Sequence, residues 1–336
     1  MTAAHGDEGQ DALLRRLESV AVKASGLIES QAPLAPQLIN HSENTTYLLR
    51  NSDGAEAKIL RIHRTDYHSP AAIKSELAWI DALREDEGVH TPHILPGRDG
   101  VRIHFIKTDD VPEGRQCVFF EFLAGDEPNG DNLMPAFPDL GAITARMHRH
   151  ARNWTLPDGF ERFHWNVETA FGDAPHWGHW HHGPNLNDER GKLFTRLVET
   201  LSHRLGRFGD SRERYGLVHA DMRLANLLIH EGDTRVIDFD DSGISWYLYD
   251  LATALSFIEE RPDVPALIAA WLEGYRREEK ISQAEEDEIP TFLMLRRMLI
   301  LAWMGSHSET DLAQSLGNEY TDISCDLAET YLAQFG

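Results

Sequence analysis

Cysteine is nearly absent from this sequence: Cys117 and Cys325 are the two in 336 residues, far apart and in no CxxC pair. That argues against a disulfide framework or a cysteine-built zinc site, and fits two free thiols in a reducing compartment. Long apolar runs are missing as well, since none approaches the roughly 20 residues a membrane helix needs. Positive charge is scarce: 32 Lys and Arg stand against 55 Asp and Glu, for a formal net charge of −23. Such a surface repels nucleic acid and anionic membrane, so neither is expected as a partner. The acidity suits a cationic substrate and equally suits plain solubility. The opening segment Met1–Gln10 is polar and acidic, unlike a signal peptide, so the expected location is cytoplasmic.

What is present describes an ordinary globular chain, 41% hydrophobic and 26% charged, and long enough for two lobes. Leu13, Leu14, Leu17 and Val20 recur at helical spacing and predict a helix over Asp11–Ala24. Short strands are expected at Leu38–Ile39, Thr45–Arg50 and Ala57–His63, the last two joined by the turn Asn51–Gly54. Ser69 as N-cap and Pro70 at the first helical position open a helix to about Glu85. Val101–Lys107 and Gln116–Leu123 read as two further strands, which makes a small antiparallel sheet with one helix. From Gly125 the pattern turns helical, with helices near Asp139–His150 and Lys192–Arg207 and a β-rich stretch over Leu217–Asp238. Ser282 with Glu285 forms a capping box, and Pro290 opens the apolar helix Thr291–Met304. The expected plan is α+β in two lobes, 1–124 and 125–336, with the boundary at Leu123–Asp126.

The chemistry concentrates in Leu217-Val-His-Ala-Asp-Met-Arg-Leu-Ala-Asn-Leu-Leu-Ile229 and Arg235-Val-Ile-Asp-Phe-Asp-Asp241. A short apolar strand ends in a polar turn carrying His219, Asp221 and Asn226, and a second strand delivers Asp238. A hydroxyl nucleophile needs a carboxylate to accept its proton. A divalent ion bridging ATP phosphates needs hard oxygen ligands, which an amide and a carboxylate supply.

His219-x-Asp221-x4-Asn226, with Asp238 twelve residues on, resembles the catalytic loop and metal segment of kinase-like folds. The wording is closer to the aminoglycoside phosphotransferase and choline-kinase-like family, whose metal segment is Ile-Asp-Phe followed by a helix start like Tyr249-Asp-Leu-Ala252. The resemblance covers about Leu38 to Phe257. It implies a two-lobed protein-kinase-like fold and a kinase that moves the γ-phosphoryl of Mg-ATP to a hydroxyl. By that resemblance Asp221 is the catalytic base, Asn226 and Asp238 are the magnesium ligands, and His219 and Asp250 support the loop. Ser42–Tyr47, Leu60–Arg64 and the Ile-Asp-Phe-Asp-Asp segment look more like the homoserine-kinase and stress-response-kinase branches than resistance enzymes. The acceptor is then an amino alcohol, a hydroxy amino acid, an antibiotic or a protein Ser/Thr.

Kinase-like folds also pair a strand cation, which holds the α- and β-phosphates, with a helix Glu. On a wheel of 100° per residue, Glu76 falls inside the apolar stripe of Ala72, Ile73, Leu77, Trp79, Ile80 and Leu83, where a carboxylate is costly unless paired. Lys58 and Arg61 compete as its partner. Alternation gives Lys58 the face of Glu56 and gives Arg61 the face of Ile59, so Arg61 fits an adenine-lined surface better. Most of the wider family has Lys there. The nucleotide-covering loop falls at Asn40–Thr46, which has no glycine; Ser42, Asn44 and Thr45 either donate to phosphate or form a plain hairpin turn. Phe119–Leu123 resembles the lobe hinge, so Glu121 and Leu123 are expected to hold adenine through backbone groups and apolar contact.

Other features read as structural. His164, His176, His179, His181 and His182, interleaved with Trp165, Trp177 and Trp180, suit a packed substrate-side lid better than a metal site. Arg296, Arg297 and Trp303 on the late apolar helix could face a substrate cleft, though core packing and surface charge explain them adequately. Two rivals remain at this level: a pseudokinase that binds nucleotide as a regulatory module, and a His/Trp-rich metal-binding protein.

Overall fold

The computed structural model describes residues 9–41, 44–128, 130 and 132–336. The chain divides into two compact units. The first runs to Ala82 and takes in Thr91–Ala124 and Pro157–Glu161; the second holds Leu83–His90, Gly125–Leu156 and Arg162–Gly336.

The first unit begins with helix α1 (Gln10–Ser25), followed by β1 (Ala35–His41), β2 (Thr45–Arg50), β3 (Ala57–Ile62), helix α2 (Pro70–Glu87, whose last turn belongs to the second unit), β4 (Ile94–Leu95), β5 (Ile103–Ile106) and β6 (Arg115–Glu121). The strands make one antiparallel sheet in the order β1-β2-β3-β6-β4, with β5 also on β6. The β2–β3 turn closes as its residue types dictate: Gly54 takes φ 73° and the Asn51 side chain accepts the Glu56 N–H at 3.0 Å. Ser69 caps α2, its Oγ accepting the Ala72 N–H at 3.0 Å. Leu17, Val20, Ala21 and Ala24 of α1 pack on Tyr47, Leu49, Leu60 and Ile62, so the apolar stripe of the helix covers one face of the sheet. Two-residue alternation sends Arg61 to the opposite face. β4 escaped the sequence reading because two residues carry no periodicity.

The second unit holds α3 (Phe137–Asn153), β7 (Phe163–His164), α4 (Val167–Phe171), α5 (Asp188–Phe208), β8 (Tyr215–Val218), β9 (Leu227–His230), β10 (Asp233–Val236), β11 (Gly243–Trp246), α6 (Leu248–Ala254), α7 (Val264–Glu278), α8 (Gln283–Glu286), α9 (Ile289–Ser306) and α10 (Asp311–Phe335). Helices α3 and α7 meet backbone to backbone. A Cβ on Gly141 would lie 2.0 Å from the Trp271 carbonyl oxygen, and one on Gly274 only 1.8 Å from that of Pro138, so only glycine fits either position. The capping box of Ser282 and Glu285 forms as expected. Among the described residues no helix is long and apolar enough to cross a membrane.

Candidate active site

The hairpin β9–β10 brings the polar residues of the catalytic segment together. Leu227 pairs with Val236, so Asn226 just before β9 and Ile237 just after β10 lie side by side, the Ile237 N–H donating to the Asn226 carbonyl at 3.0 Å. Asp238 follows, with φ 61°; Ala220, beside Asp221, takes φ 65°. Left-handed backbone at non-glycine residues costs on the order of 1–3 kcal/mol and persists where the surroundings impose it.

Those surroundings are specific. Asp250, at the start of α6 and fully buried, accepts the His219 N–H at 3.1 Å and the Ala220 N–H at 2.7 Å. His148 of α3 donates to the same carboxylate at 3.0 Å, and its other ring nitrogen accepts from Tyr275 of α7 at 3.1 Å. Burial holds the His148 ring below its ordinary pKa despite the Asp250 charge, so it serves as a neutral spacer. His219 Nδ1 accepts the Asp221 N–H at 3.2 Å while Nε2–H donates to the Ile237 carbonyl at 3.1 Å. One imidazole thus ties the catalytic turn to the strand end that carries Asp238.

Asp221 itself is 9% exposed. Its Oδ2 accepts from Asn226 Nδ2 at 2.7 Å and from Arg223 Nε at 3.0 Å, and its Oδ1 accepts from Arg296 Nη2 at 2.7 Å. Burial alone would raise this carboxyl, but the Arg223 and Arg296 charges overrule it and hold it below the usual carboxylate range. Asp221 is therefore an anion at neutral pH. Arg223 is raised above its ordinary value chiefly by Asp221, against burial, with Asp238 adding to the effect.

The segment after Asp238 is held through its carbonyls. Arg162 donates to the Ser242 carbonyl at 2.5 Å and to that of Asp240, and the Trp165 indole donates to the Asp241 carbonyl at 2.8 Å. The Trp- and His-rich loop is packed: Trp165, Trp177 and Trp180 are all buried, and Trp165 lies 4.9 Å from Trp177 between ring centroids.

In the first unit, Arg61 Nη1 donates to Glu76 Oε1 at 2.6 Å, with Glu76 1% exposed. The guanidinium also lies 5.0 Å from the Phe120 ring. Lys58 points elsewhere, donating to the Glu29 carbonyl at 2.7 Å and pairing with Glu56. Asn44 uses its side-chain oxygen on the Arg64 N–H at 3.1 Å, and Thr45 Oγ meets His41 Nδ1 at 2.8 Å. Ser42 lies outside the described residues. Glu121 ends β6 and gives its N–H to the His93 carbonyl at 2.9 Å; Leu123, two residues on, is half-buried.

Two residues were misjudged from sequence. Arg296 and Arg297 carry no surface charge: they are 3% and 1% exposed, Arg296 on Asp221 and Arg297 on Glu259 at 2.7 Å. The signal was available, because a charge inside the apolar helix α9 demands a buried partner just as Glu76 does on α2.

The chain belongs to the Phosphotransferase enzyme family, which it matches over residues 36–286. It is a kinase that transfers a phosphoryl group to the hydroxyl of a small molecule. Among relatives of known structure, it is 42% identical to a microcompartment-associated aminopropanol kinase, covering 95% of this chain and 98% of that one with a TM-score of 0.87. It is 27% identical to the amicoumacin kinase of Bacillus subtilis (strain 168), over 79% of this chain and 78% of that protein. The amicoumacin kinase hAmiN, solved with AMP-PNP, Ca2+ and Ami, is 23% identical, with a TM-score of 0.75 over 95% of this chain and 96% of that one.

Proposed function

We infer that the protein phosphorylates the hydroxyl of a small amino alcohol of the aminopropanol kind. ATP is the donor and a divalent cation, magnesium in the cell, its companion. The observation that carries the acceptor class is the 42% identity to an aminopropanol kinase, which spans nearly the whole of both chains. The net charge of −23 agrees with a cationic substrate.

The roles follow from the chemistry of each group. Asp221 orients the acceptor hydroxyl and takes its proton. Its low basicity suits a loose phosphoryl-transfer transition state, in which the proton moves late. Asn226 and Asp238 are a fit pair of hard-oxygen donors for magnesium: the Asn226 amide nitrogen is engaged by Asp221, which leaves its oxygen for a cation. When bound, that ion supplies charge neutralisation at the transferring phosphoryl. Arg61, oriented by Glu76, holds the α- and β-phosphates, and the backbone of Glu121 and Leu123 holds adenine. His219 and Asp250 keep the turn in shape. The complete set of Asp221, Asn226 and Asp238 speaks against a pseudokinase.

A second reading has its own support: the similarity to an amicoumacin kinase over 79% of the chain favours an antibiotic acceptor. Coupled ADP-release assays with 1-aminopropan-2-ol, ethanolamine and amicoumacin separate the two, with 31P NMR to identify the phosphate ester. Turnover of amicoumacin alone would overturn the amino-alcohol assignment.

A further inference from the structure

An ionised carboxylate offers about four lone-pair positions, two on each oxygen. Asp221 fills them unequally. Oδ2 receives two donors, Asn226 Nδ2 and Arg223 Nε, and has no position left. Oδ1 receives one from the described residues, Arg296 Nη2, which leaves it one lone pair open. Arg296 is itself held on every side: Nε donates to Ser256 Oγ at 2.9 Å, and Nη1 to the Tyr249 hydroxyl at 3.2 Å and the Ala220 carbonyl at 3.4 Å. Its Cζ lies 5.3 Å from the Trp177 ring and 5.9 Å from that of Tyr249. A planar fork fixed this way cannot swing across to cover the second lone pair of Oδ1.

Resting on the assignment of Asp221 as base, we propose that Oδ1 is the oxygen that receives the acceptor's proton, and that Arg296 is the positioning residue that keeps it available. The acceptor then enters on the α9 side of Asp221, beside Trp177 and Tyr249. The Arg223 and Asn226 side is left to the metal segment. As the acceptor oxygen bonds to the γ-phosphorus, its proton passes to Oδ1. The bond from the γ-phosphorus to the β–γ bridging oxygen breaks, and its electron pair leaves with ADP. A second feature beside Arg296 points to a ligand: the Trp177 indole N–H is buried and meets no acceptor among the described residues, so it can donate to a substrate oxygen.

The test joins a structure to kinetics on the full-length chain. A crystal structure with Mg2+, AMP-PNP and 1-aminopropan-2-ol should place the hydroxyl about 3 Å from Oδ1. A hydroxyl on Oδ2 overturns the proposal. Arg296→Met should lower kcat by about a hundredfold or more, and Arg296→Lys, which restores one donor to Oδ1, by only about tenfold. Both should bind Mg–AMP-PNP within about threefold of the parent protein, a split that general loss of packing would not produce. If the Met variant fails to fold, the Lys variant and the complex still decide. Asp221→Asn keeps the two levels apart. If it is inactive while Arg296→Met turns over normally, Arg296 loses its role; if it transfers normally, Asp221 is not the base and the proposal falls with it.

Discussion

The proposed phosphate clamp in the first unit and the proposed catalytic turn in the second are both built on buried charge, yet they are anchored differently. Glu76 of the clamp receives Arg61 on Oε1, and among the described residues its buried Oε2 has no hydrogen bond. A strand and a helix are thus joined by a buried ion pair, with the guanidinium also lying over the Phe120 ring. The catalytic turn is held by α3 and α7 through His148 and Tyr275, by α6 through Asp250 and by α9 through Arg296. A left-handed backbone at Ala220 needs such redundancy, because strain persists only when several contacts oppose its release. The clamp has no comparable strain to hold, since neither Arg61 nor Glu76 takes left-handed backbone.

Substitutions can break or sharpen this contrast. The largest loss is expected from Asp221→Asn, which should cut kcat by about 10²–10⁴ while Mg-ATP still binds. Steady-state turnover with calorimetry checks both halves. Asp238→Ala should remove the magnesium dependence of nucleotide binding, since the phosphates lose an ionic ligand to their cation. Calorimetric titration with and without Mg2+ would reveal unchanged affinity if the assignment is wrong. Glu76→Gln tests the clamp. Removing the Glu76 charge from beside buried Arg61 should cost about 3–5 kcal/mol in urea unfolding and raise the KM for ATP. Asp250→Asn turns one carboxylate oxygen into a donor, so it should lose about 1–3 kcal/mol for an unsatisfied N–H and slow turnover by loosening the turn. Lys58→Ala should be mildest, at about 0–1 kcal/mol, because its ion pair with Glu56 is near the surface. A larger effect of Lys58→Ala than of Glu76→Gln on the KM for ATP would move the clamp to Lys58.

How far each part could be read from sequence follows from how local its determinants are. Asp221, Asn226 and Asp238 sit on one strand–turn–strand unit, so spacing alone brings them to the same end of a hairpin. Arg61 and Lys58 could be separated by strand alternation, a rule that needs only neighbouring residues. Arg296 is 75 residues from Asp221 in the chain, on a helix apolar on all sides, where no periodicity reveals which face meets which partner. The Asn40–Thr46 loop left two readings open. Asn44 accepts the Arg64 N–H, from a partner twenty residues away that a short motif does not specify.

The sequence by itself pointed to a kinase of the phosphotransferase kind, through a resemblance carried by the His219–Asp238 segment, whose spacing is fixed over a few residues. It also determined that Glu76 must be paired, because a carboxylate in an apolar stripe has no other affordable state. Only the tertiary structure decided that Arg296 meets Oδ1 of Asp221 while Arg223 and Asn226 share Oδ2. Those choices arise where helix α9 packs on the catalytic turn, and packing between distant segments is set by the shape of the whole core rather than by any stretch of its sequence.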